Sequence, residues 1–486
     1  MLTYALDKRE GLSLYDYLYR CIKEDILNGI IVSGEKLPSK RSLAKNLGIS
    51  VITVENAYAQ LCAEGFIYSL EKRGYYAADI KDILTNISGT QLNKESKKEF
   101  EKAEKIDQSN SDMLQAESNL SDSSIIADFA SNAVNIDKFP FYQWSKLTRN
   151  VLAEANDELL RVAPIKGVYE LRKAIADYLY RFRGLKVDEN QIVVGSGTEY
   201  MYGILIQLLG HDKIYAMEDP GYSKMSMILE GNRVECHHVA IDEYGMMIDR
   251  LNETDANVVH LTPSHHFPSG IVMPIQRRLE FINWAVKQED RYIIEDDYDC
   301  EFRLQGRPIQ TMFESDMNGK VIYMNTFSKT LAPSFRISYM VLPPKLMKQF
   351  EEKLGYMSCT VPNLEQFVLA KFMSEGFYER HINRMRVYYR NLRNDILKAI
   401  KESGLGNRCR IFEENAGLHF LIRFNTDMSD ELLVKKALEK GIRLTCINNY
   451  SYVPNEENEH VVVLNYSGIK PESIKEAMSR LREVVK

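Results

Sequence analysis

Apolar residues recur with a helical period near the start of the chain. The first stripe stands four residues apart at Leu14, Leu18, Ile22 and Ile26. It predicts one helix that ends at Gly29. The segment from residue 37, LPSKRSLAKNLGISVITVENAYAQLCAEGFI, predicts a short helix, a turn at Gly48 and a longer helix capped by Ser50. A short helix, a glycine turn and a capped helix in this order predict a helix-turn-helix.

The residues that follow, FIYSLEKRGYYAA, predict a two-stranded wing. Basic and hydroxyl side chains crowd the motif and the wing tip, where the phosphates of DNA would lie. The residues predicted to contact DNA are Lys36, Ser39, Lys40, Arg41, Ser50, Thr53, Lys72, Arg73 and Gly74. The alternative is a small helical dimerisation or capping module, and the concentration of cations favours DNA.

Two further changes of pattern divide the rest of the chain. Residues 80–124 are rich in Lys, Glu, Ser, Asn and Asp, with Phe100 as the one aromatic residue, and they predict a polar linker. From 125 to 486, strand-like runs such as QIVVG, NVVHLT, RYIIEDD and KVIYMN alternate with amphipathic helices, which predicts an α/β domain. The predicted organisation is a winged helix over 1–79, a linker over 80–124, and an α/β domain with large and small subdomains over 125–486.

Composition narrows the class of protein. Of the 486 residues, 45% are hydrophobic and 27% are charged, which is typical of a globular protein. There is no run of about eighteen apolar residues and no signal peptide, so no membrane is expected. Seven scattered cysteines without C-x-x-C predict reduced thiols and a cytoplasmic location. His265 and His266 lack metal-ligand spacing, so no metal is expected. The formal net charge of −6 means that DNA binding must come from a local patch.

Lys329, within NTFSKTLAPSFRIS, is the candidate for covalent chemistry. A lysine amine condenses with aldehydes, and pyridoxal phosphate is the commonest protein-held case. The phosphate of this cofactor requires helix N-terminal amides, hydroxyls and an arginine. Its pyridine nitrogen requires a carboxylate, its 3-oxygen a donor, and its ring an aromatic face. Open α/β sheets bind such ligands at the carboxyl ends of their strands.

The chain offers each of these groups at the end of a predicted strand. The residues suited to the phosphate are Ser196, Gly197, Thr198 and Arg336, while Thr326 and Ser328 stand beside the lysine as further cofactor-binding candidates. Asp296 and Tyr298 are predicted to alternate onto one strand face, so that a carboxylate and a phenol meet the same ring. Tyr222 can stack on that ring. Each feature alone fits a plain turn, a helix cap or a solvated acid, but all of them together predict a pyridoxal phosphate site.

Several segments resemble known families. LPSKRSLAKNLGISVITV and AYAQLCAEGFI resemble the GntR superfamily winged helix. EDPGY, TPSHHFPSG, IIEDDYDCEF and TFSKTLAPSFRISYMVLP resemble fold type I pyridoxal phosphate enzymes of the aspartate aminotransferase type, and the fusion resembles MocR-type regulators. The resemblance implies an internal aldimine on Lys329, with Asp296 on the pyridine nitrogen and Tyr298 at the 3-oxygen. It also implies that Tyr222 stacks on the ring, and that the phosphate is held by Ser196, Gly197, Thr198, Ser328 and Arg336.

Three positions depart from these families. Val51 stands where the GntR superfamily usually has a base-reading arginine, which leaves the operator open. Phe267 replaces an asparagine that donates to the 3-oxygen in aminotransferases. Lys224 stands where a MocR-type relative grips an effector carboxylate with arginine, and a lysine cannot form that planar pair. Lys224 and Arg443 are the predicted effector-binding residues.

The predicted function is a pyridoxal phosphate-dependent, ligand-responsive transcription regulator. It would bind promoter DNA and sense a small amine or amino acid by external aldimine formation at Lys329, as a homodimer by resemblance. One alternative is an active aminotransferase with a DNA-binding appendage. Another is a DNA-binding module whose large domain only dimerises and holds no cofactor. Intact Lys329, Asp296 and Arg336 count against the last alternative, and the missing asparagine counts against vigorous turnover.

Overall fold

The computed structural model describes residue 4 and residues 13–70, 73–78, 125–131, 133–154, 156–304, 309–412 and 417–485. Lys72 and the predicted linker over 80–124 lie outside the described residues. The helices are α1 Leu14–Leu27, α2 Lys40–Leu47, α3 Val51–Ala63, α4 Phe141–Glu154, α5 Asn156–Leu159, α6 Tyr169–Arg183, α7 Thr198–Leu209, α8 Ser223–Gly231, α9 Ile248–Asn252, α10 Ile275–Val286, α11 Met312–Ser315, α12 Pro344–Leu354, α13 Asn363–Ser374, α14 Phe377–Glu402, α15 Asp430–Glu439 and α16 Ile474–Val484. The strands are β1 Ile67–Leu70, β2 Gly74–Ala77, β3 Ala127–Asp128, β4 Ile192–Gly195, β5 Tyr215–Asp219, β6 Cys236–Asp242, β7 Gly245–Met246, β8 Val258–Leu261, β9 Tyr292–Asp296, β10 Val321–Thr326, β11 Ser338–Val341, β12 Cys409–Phe412, β13 His419–Phe424, β14 Ile442–Arg443 and β15 Val461–Asn465.

The N-terminal domain has the predicted winged helix-turn-helix. Gly48 ends α2 in the left-handed conformation, with φ 66°, and the Ser50 hydroxyl accepts a hydrogen bond from the Thr53 N–H at the start of α3. Strands β1 and β2 pair antiparallel as the wing. Tyr58 is fully buried, and its hydroxyl donates to the Pro38 carbonyl at 2.8 Å. This bond ties α3 to the turn that precedes α2.

The α/β domain is built on an eight-stranded sheet in the order β4-β11-β10-β9-β8-β5-β6-β7. Strands β10, β9, β8, β5 and β6 are parallel, and β11 and β7 run against them. Because β4 is antiparallel to β11, it runs with the parallel set. The carboxyl ends of β4, β5, β8, β9 and β10 therefore meet at one edge of the sheet, where open α/β folds bind ligands.

A smaller C-terminal unit packs beside this sheet. Its core is a three-stranded antiparallel sheet in the order β12-β13-β15. Helix α14 packs against α16 beside this sheet. The short strand β14 pairs in parallel with β3, which ties the unit to the first residues of the α/β domain.

The winged helix rests directly on the α/β domain. A Cβ added to Gly65 would lie 2.7 Å from the Pro274 Cβ, so the two backbones approach closely here. The Ile275 N–H donates to the Glu64 carbonyl at 2.8 Å. Apolar residues from both sides form one continuous core, which includes Leu18, Ile22, Phe66, Met273 and Ile275. The two domains are thus joined by packing as well as by the chain.

Polar side chains are buried within this contact. The Glu64 carboxylate is 3% exposed and accepts a hydrogen bond from the Tyr19 hydroxyl at 2.7 Å. The Lys23 Nζ lies 3.9 Å from the same carboxylate and donates to the Gln310 side chain of the α/β domain. Burial lowers the pKa of Lys23, against the opposing charge of Glu64.

Within the described residues, every helix is too short or too polar to cross a lipid bilayer.

Candidate cofactor site and nucleic-acid interface

Lys329 lies in a tight turn just beyond the end of β10. The Thr326 hydroxyl anchors this turn, because it accepts hydrogen bonds from the Ser328 N–H at 3.1 Å and from the Ser338 hydroxyl at 2.9 Å. Thr326 is 8% exposed, so its side chain holds the turn rather than facing the cleft. Ser328 is half-buried beside the lysine.

The environment of Lys329 favours a neutral amine. Burial lowers its pKa to about 8, against the opposing charge of Asp299. Burial also lowers the pKa of His419 well below its ordinary value, with the charges of His265 and Lys329 acting in the same direction. The neutral amine is the form that attacks an aldehyde, and the lowered pKa increases its share near physiological pH.

Asp296 ends β9 on the same edge of the sheet as Lys329. Its carboxylate lies 3.6 Å from Nε2 of His260, which stands on the neighbouring strand β8. Nε2 of His260 is buried and has no hydrogen-bond partner. A carboxylate with such a neighbour suits a protonated ring nitrogen.

The prediction that Tyr298 alternates with Asp296 along one strand is wrong, because β9 ends at Asp296. Asp297 is drawn into a buried ion pair with Arg183 and accepts a hydrogen bond from the Tyr323 hydroxyl at 2.8 Å. Tyr298 therefore lies in the turn that follows, where its hydroxyl donates to the His265 carbonyl at 3.1 Å. Nδ1 of His265 lies 2.8 Å from the Asp299 carboxylate.

Aromatic rings form one wall beside these groups. Tyr222 precedes α8, is 39% exposed, and meets Phe267 edge to face at 5.8 Å. Phe267 also packs edge to face on Tyr450 of the C-terminal unit, at 5.0 Å. The Gly221 N–H donates to the Tyr450 carbonyl at 2.9 Å. The wall thus joins the sheet edge to the C-terminal unit.

Gly197, Thr198 and Arg336, which are among the residues predicted to hold a phosphate, meet at the start of α7. Gly197, with φ 92°, precedes this helix, and a Cβ there would lie 2.3 Å from Nη2 of Arg336. Arg336 and Lys224 both contact the carboxylate of Glu199, in the first turn of α7. Partial burial alone would raise the pKa of Glu199, but the hydrogen bond from Lys224 and the charge of Arg336 hold this pKa below its usual value.

This cradle fits an anion. The Glu199 carboxylate stands in for one, since it is an oxyanion between two cations at a helix N-terminus. Thr198 begins the helix, and the Ser196 hydroxyl accepts from the Thr360 hydroxyl at 2.8 Å. Ser196, Arg336 and Thr360 also line a cleft of about 450 Å³. A space that only glycine permits, beside an arginine and hydroxyls, suits a phosphate.

Arg443 lies apart from the cradle, on β14. Its Nη1 forms an ion pair with the Asp128 carboxylate at 3.0 Å, and both side chains are 27% exposed. Strand β14 pairs with β3 at this point, so Arg443 and Asp128 stand opposite each other in the register. The two cations predicted to bind an effector, Lys224 and Arg443, each already have a carboxylate partner.

Glu199, His260, Asp299 and Thr360 did not emerge from the sequence. Asp299 was detectable in principle, because it follows the predicted residues Asp296 and Tyr298 along the chain, whereas His260 stands on β8, which carried no predicted site residue. Nothing in the sequence pattern around Glu199 or Thr360 indicates that they belong to the site. An acid beside a phosphate site has the wrong sign of charge, and Thr360 lies far along the chain from Ser196.

The predicted DNA contacts that the structure describes lie on α2 and α3, on the turn before α2 and at the wing. Lys36, Ser39, Arg41 and Arg73 are exposed. The Ser39 hydroxyl caps α2 by accepting from the Ser42 N–H at 3.2 Å. Lys40 forms an ion pair with Glu55 of α3. The hydroxyls of Ser50 and Thr53 lie 2.8 Å apart, and Gly74 begins the second wing strand.

Over the described ranges, no group of three or more His, Cys, Asp or Glu side chains is arranged to hold a metal ion. His265 and His266 lie in the loop after β8 with separate partners. His265 meets Asp299, whereas Nδ1 of His266 lies 2.6 Å from the Ser269 hydroxyl.

Comparison with known proteins accounts for both domains. Residues 14–76 match the gntR family of bacterial regulatory proteins, and residues 124–481 match aminotransferase class I and II. The uncharacterized HTH-type transcriptional regulator YdeL of Bacillus subtilis is 36% identical over 99% of this chain and 98% of its own. The probable rhizopine catabolism regulatory protein MocR of Rhizobium meliloti is 30% identical over 98% of this chain and 95% of its own.

Among solved structures, the multiple substrate aminotransferase of Thermococcus profundus is similar, with a TM-score of 0.67 and 23% identity. The similarity covers 78% of this chain and 95% of that one. The predicted fold, a winged helix followed by a fold type I aminotransferase-like domain, is confirmed. The chain belongs to the aminotransferase class I and II family, in the group of HTH-type transcriptional regulators that join a gntR-type domain to it.

Proposed function

We propose that this regulator responds to a small amine or amino acid through pyridoxal phosphate held at Lys329. The observation that carries the proposal is a half-buried lysine, whose desolvation lowers its pKa, on the same sheet edge as an anion cradle. A domain used only for dimerisation has no need for this combination. We place the DNA-binding domain at 1–79, the linker at 80–124 and the sensing domain at 125–486, in a cytoplasmic homodimer.

The residues that would hold the cofactor surround Lys329. Gly197, Thr198, Ser196, Ser328 and Arg336 would hold the phosphate, where Glu199 now pairs with Arg336. Asp296 would pair with the ring nitrogen, and Tyr222 would cover the ring. When bound, pyridoxal phosphate supplies an aldehyde carbon with which primary amines condense reversibly.

The side chains around this site control protons and access. Desolvation lowers the pKa of Lys329 to about 8, so its amine is mostly neutral above that pH. Asp296 would keep a proton on the ring nitrogen of the cofactor, and Tyr298 donates to the backbone of the His265 loop. Phe267 and Tyr450 exclude water from one side, because their rings pack edge to face. An amine that displaces Lys329 would change the charge beside Asp299 and His419.

A route of direct contacts supports transmission to the winged helix. Arg278 is 2% exposed and donates to the Pro263 carbonyl at 2.7 Å, two residues before His265. It also donates to the Gln310 carbonyl at 2.5 Å, and the Gln310 side chain accepts from Lys23 of α1. A change in the His265 loop can thus reach α1 through the side chains of Arg278 and Gln310, without passing through the linker.

The second candidate function is an aminotransferase with a DNA-binding appendage. The complete set of Lys329, Asp296 and Arg336 favours it, because these groups also serve catalysis in the family fold. Turnover separates the two. The regulator should bind amines without releasing keto acid over many cycles, whereas the enzyme should transfer amino groups repeatedly between an amino acid and a keto acid.

The test is an absorbance titration of the purified full-length protein. The protein should be yellow, Lys329→Ala should lose the colour, and the exposed Lys345→Ala should keep it. A panel of amino acids, D-amino acids and amines should then shift the spectrum for one class only. The same compound should change the affinity for promoter DNA. A spectral shift with no change in DNA affinity would refute ligand-responsive regulation.

A further inference from the structure

The outward face of α3 carries an unusual set of side chains for a recognition helix. Its sequence, VITVENAYAQLCA, contains no lysine, arginine or histidine. Val51 is 41% exposed and Ile52 is 67% exposed at the start of the helix. Asn56 and Ala59 follow Ile52 on the same exposed face, while Val54, Ala57, Tyr58 and Leu61 are buried. Exposed apolar residues on a small domain indicate a surface that meets a partner.

Charge complementarity identifies that partner as DNA. Lys36, Arg41 and Lys45 lie exposed on or just before α2, and Arg73 lies exposed at the wing. These cations lie on the elements next to α3, because α2 and the first wing strand both contact that helix. The apolar start of α3 is therefore bordered by groups that suit phosphates, as a helix inserted in the major groove requires.

The polar groups at the start of α3 are already engaged. The Ser50 hydroxyl accepts from the Thr53 N–H at 3.1 Å and lies 2.8 Å from the Thr53 hydroxyl. The Glu55 carboxylate is paired with Lys40. Val51, Ile52 and Asn56 remain as the side chains that present chemistry to base edges.

Base edges in the major groove differ in the chemistry that they offer. Guanine is read mainly by arginine or lysine, adenine by asparagine or glutamine, and the C5-methyl of thymine by apolar contact. Helix α3 has no arginine or lysine, but it has an exposed asparagine and exposed apolar residues. Resting on the DNA binding proposed above, we infer that α3 reads A·T pairs, with Val51 and Ile52 against thymine methyl groups and Asn56 on an adenine.

The test starts from a random duplex library, selected with the full-length protein at physiological salt. Each thymine of the selected sequence is then replaced by uracil, which removes only the C5-methyl group. At the pairs read by α3, we expect each replacement to weaken binding about fourfold, the value for one buried methylene-sized group. Guanine should be absent from those pairs.

Variants assign the effect to side chains. Ile52→Ser should abolish the uracil effect at one or more pairs, and the exposed Ile30→Ser in the same domain should leave every uracil effect intact. Asn56→Ala should relax the preference for adenine. Val51→Arg should bring guanine into the sequence newly selected from the library. A circular dichroism melt of each variant checks that the domain remains folded.

The outcomes are distinct. Failure to select any duplex would refute the proposed DNA-binding function itself. A selected duplex that binds equally well with uracil, or one with G·C at the α3 pairs, would overturn the inference and leave DNA binding standing. Uracil effects that persist in Ile52→Ser and in Val51→Ser would also overturn it. If these two variants bind DNA normally, the apolar pair belongs to a protein contact and the inference fails.

Discussion

At the scale of single residues, the candidate cofactor site depends on the missing Cβ of Gly197 and on the exclusion of water from Lys329. Gly197 leaves room for the guanidinium of Arg336, which approaches the space that a Cβ would fill. Burial around Lys329 removes water from its amine and lowers its pKa. Both features follow from the turns after β4 and β10, which meet because these strands share a direction in the sheet.

Gly197→Ala should weaken pyridoxal phosphate binding about tenfold or more, because overpacking of this kind costs about 1–3 kcal/mol. The new methyl group would lie 2.3 Å from Arg336 and would force it out of the cradle. The control is Gly203→Ala inside α7, where nothing lies within 4 Å. Absorbance titration of cofactor-free protein measures both. Equal affinities in the two variants would contradict the proposed cradle.

The rate of pyridoxal phosphate attachment should rise with pH as Lys329 loses its proton. Burial sets its pKa at about 8, so the reactive neutral amine is scarce at pH 6.5 and predominant at pH 9. Stopped-flow absorbance should show the rate rising through about pH 8 and levelling above it. A rate that continues to rise towards about pH 10.5, the ordinary value for lysine, would show that the amine is not buried as described.

At the scale of elements, the contact between the winged helix and the α/β domain is the feature with most consequence. Gly65 ends the turn after α3 and sits against Pro274, just before α10. A change at this contact acts on the recognition helix directly, because α3 ends at Ala63. The same contact encloses the polar group of Glu64, Tyr19 and Lys23.

Gly65→Ala should lower the free energy of unfolding more than Gly34→Ala does. Both glycines have left-handed backbone conformations, with φ 78° and 73°, so both substitutions cost about 1–2 kcal/mol of strain. Only Gly65 faces the other domain, and its methyl group would clash with Pro274. Calorimetry should show a further loss of about 1–3 kcal/mol for Gly65→Ala. Identical melting curves would show that the domains do not touch here in solution.

The sequence predicted elements better than contacts between them. Every strand proposed in the α/β domain is present, because buried parallel strands read as continuous apolar runs. The packing of Gly65 on Pro274 was not foreseen, since a glycine after a helix looks like an ordinary cap. Tyr298 was placed on a strand that ends two residues earlier, because alternation cannot reveal the ion pair of Asp297.

At the scale of the whole molecule, the negative net charge opposes DNA binding, and only a local group of cations favours it. The formal net charge is −6, yet exposed cations gather on α2, on the turn before it and at the wing. Association with DNA therefore depends on a few contacts close to the phosphates, and screening by salt should weaken it steeply.

Arg41→Ala should reduce the salt dependence of DNA binding. Loss of one phosphate contact lowers the slope of log affinity against log salt by about 0.9. Lys398→Ala is the control, because this lysine is 71% exposed on α14 of the α/β domain. Fluorescence anisotropy from about 50 to 200 mM salt provides both slopes. An unchanged slope in Arg41→Ala would remove this residue from the interface.

The carboxylate of Glu199 has a consequence for how the protein would discriminate among cellular phosphates. Because it is fixed on α7 only two residues from Gly197, it competes with any incoming anion for Arg336. Inorganic phosphate or a nucleotide would have to displace the Glu199 carboxylate from Arg336, and it would form no further bond that offsets this loss. Pyridoxal phosphate, which would also bond to Lys329 through its aldehyde, would offset the cost of this exchange.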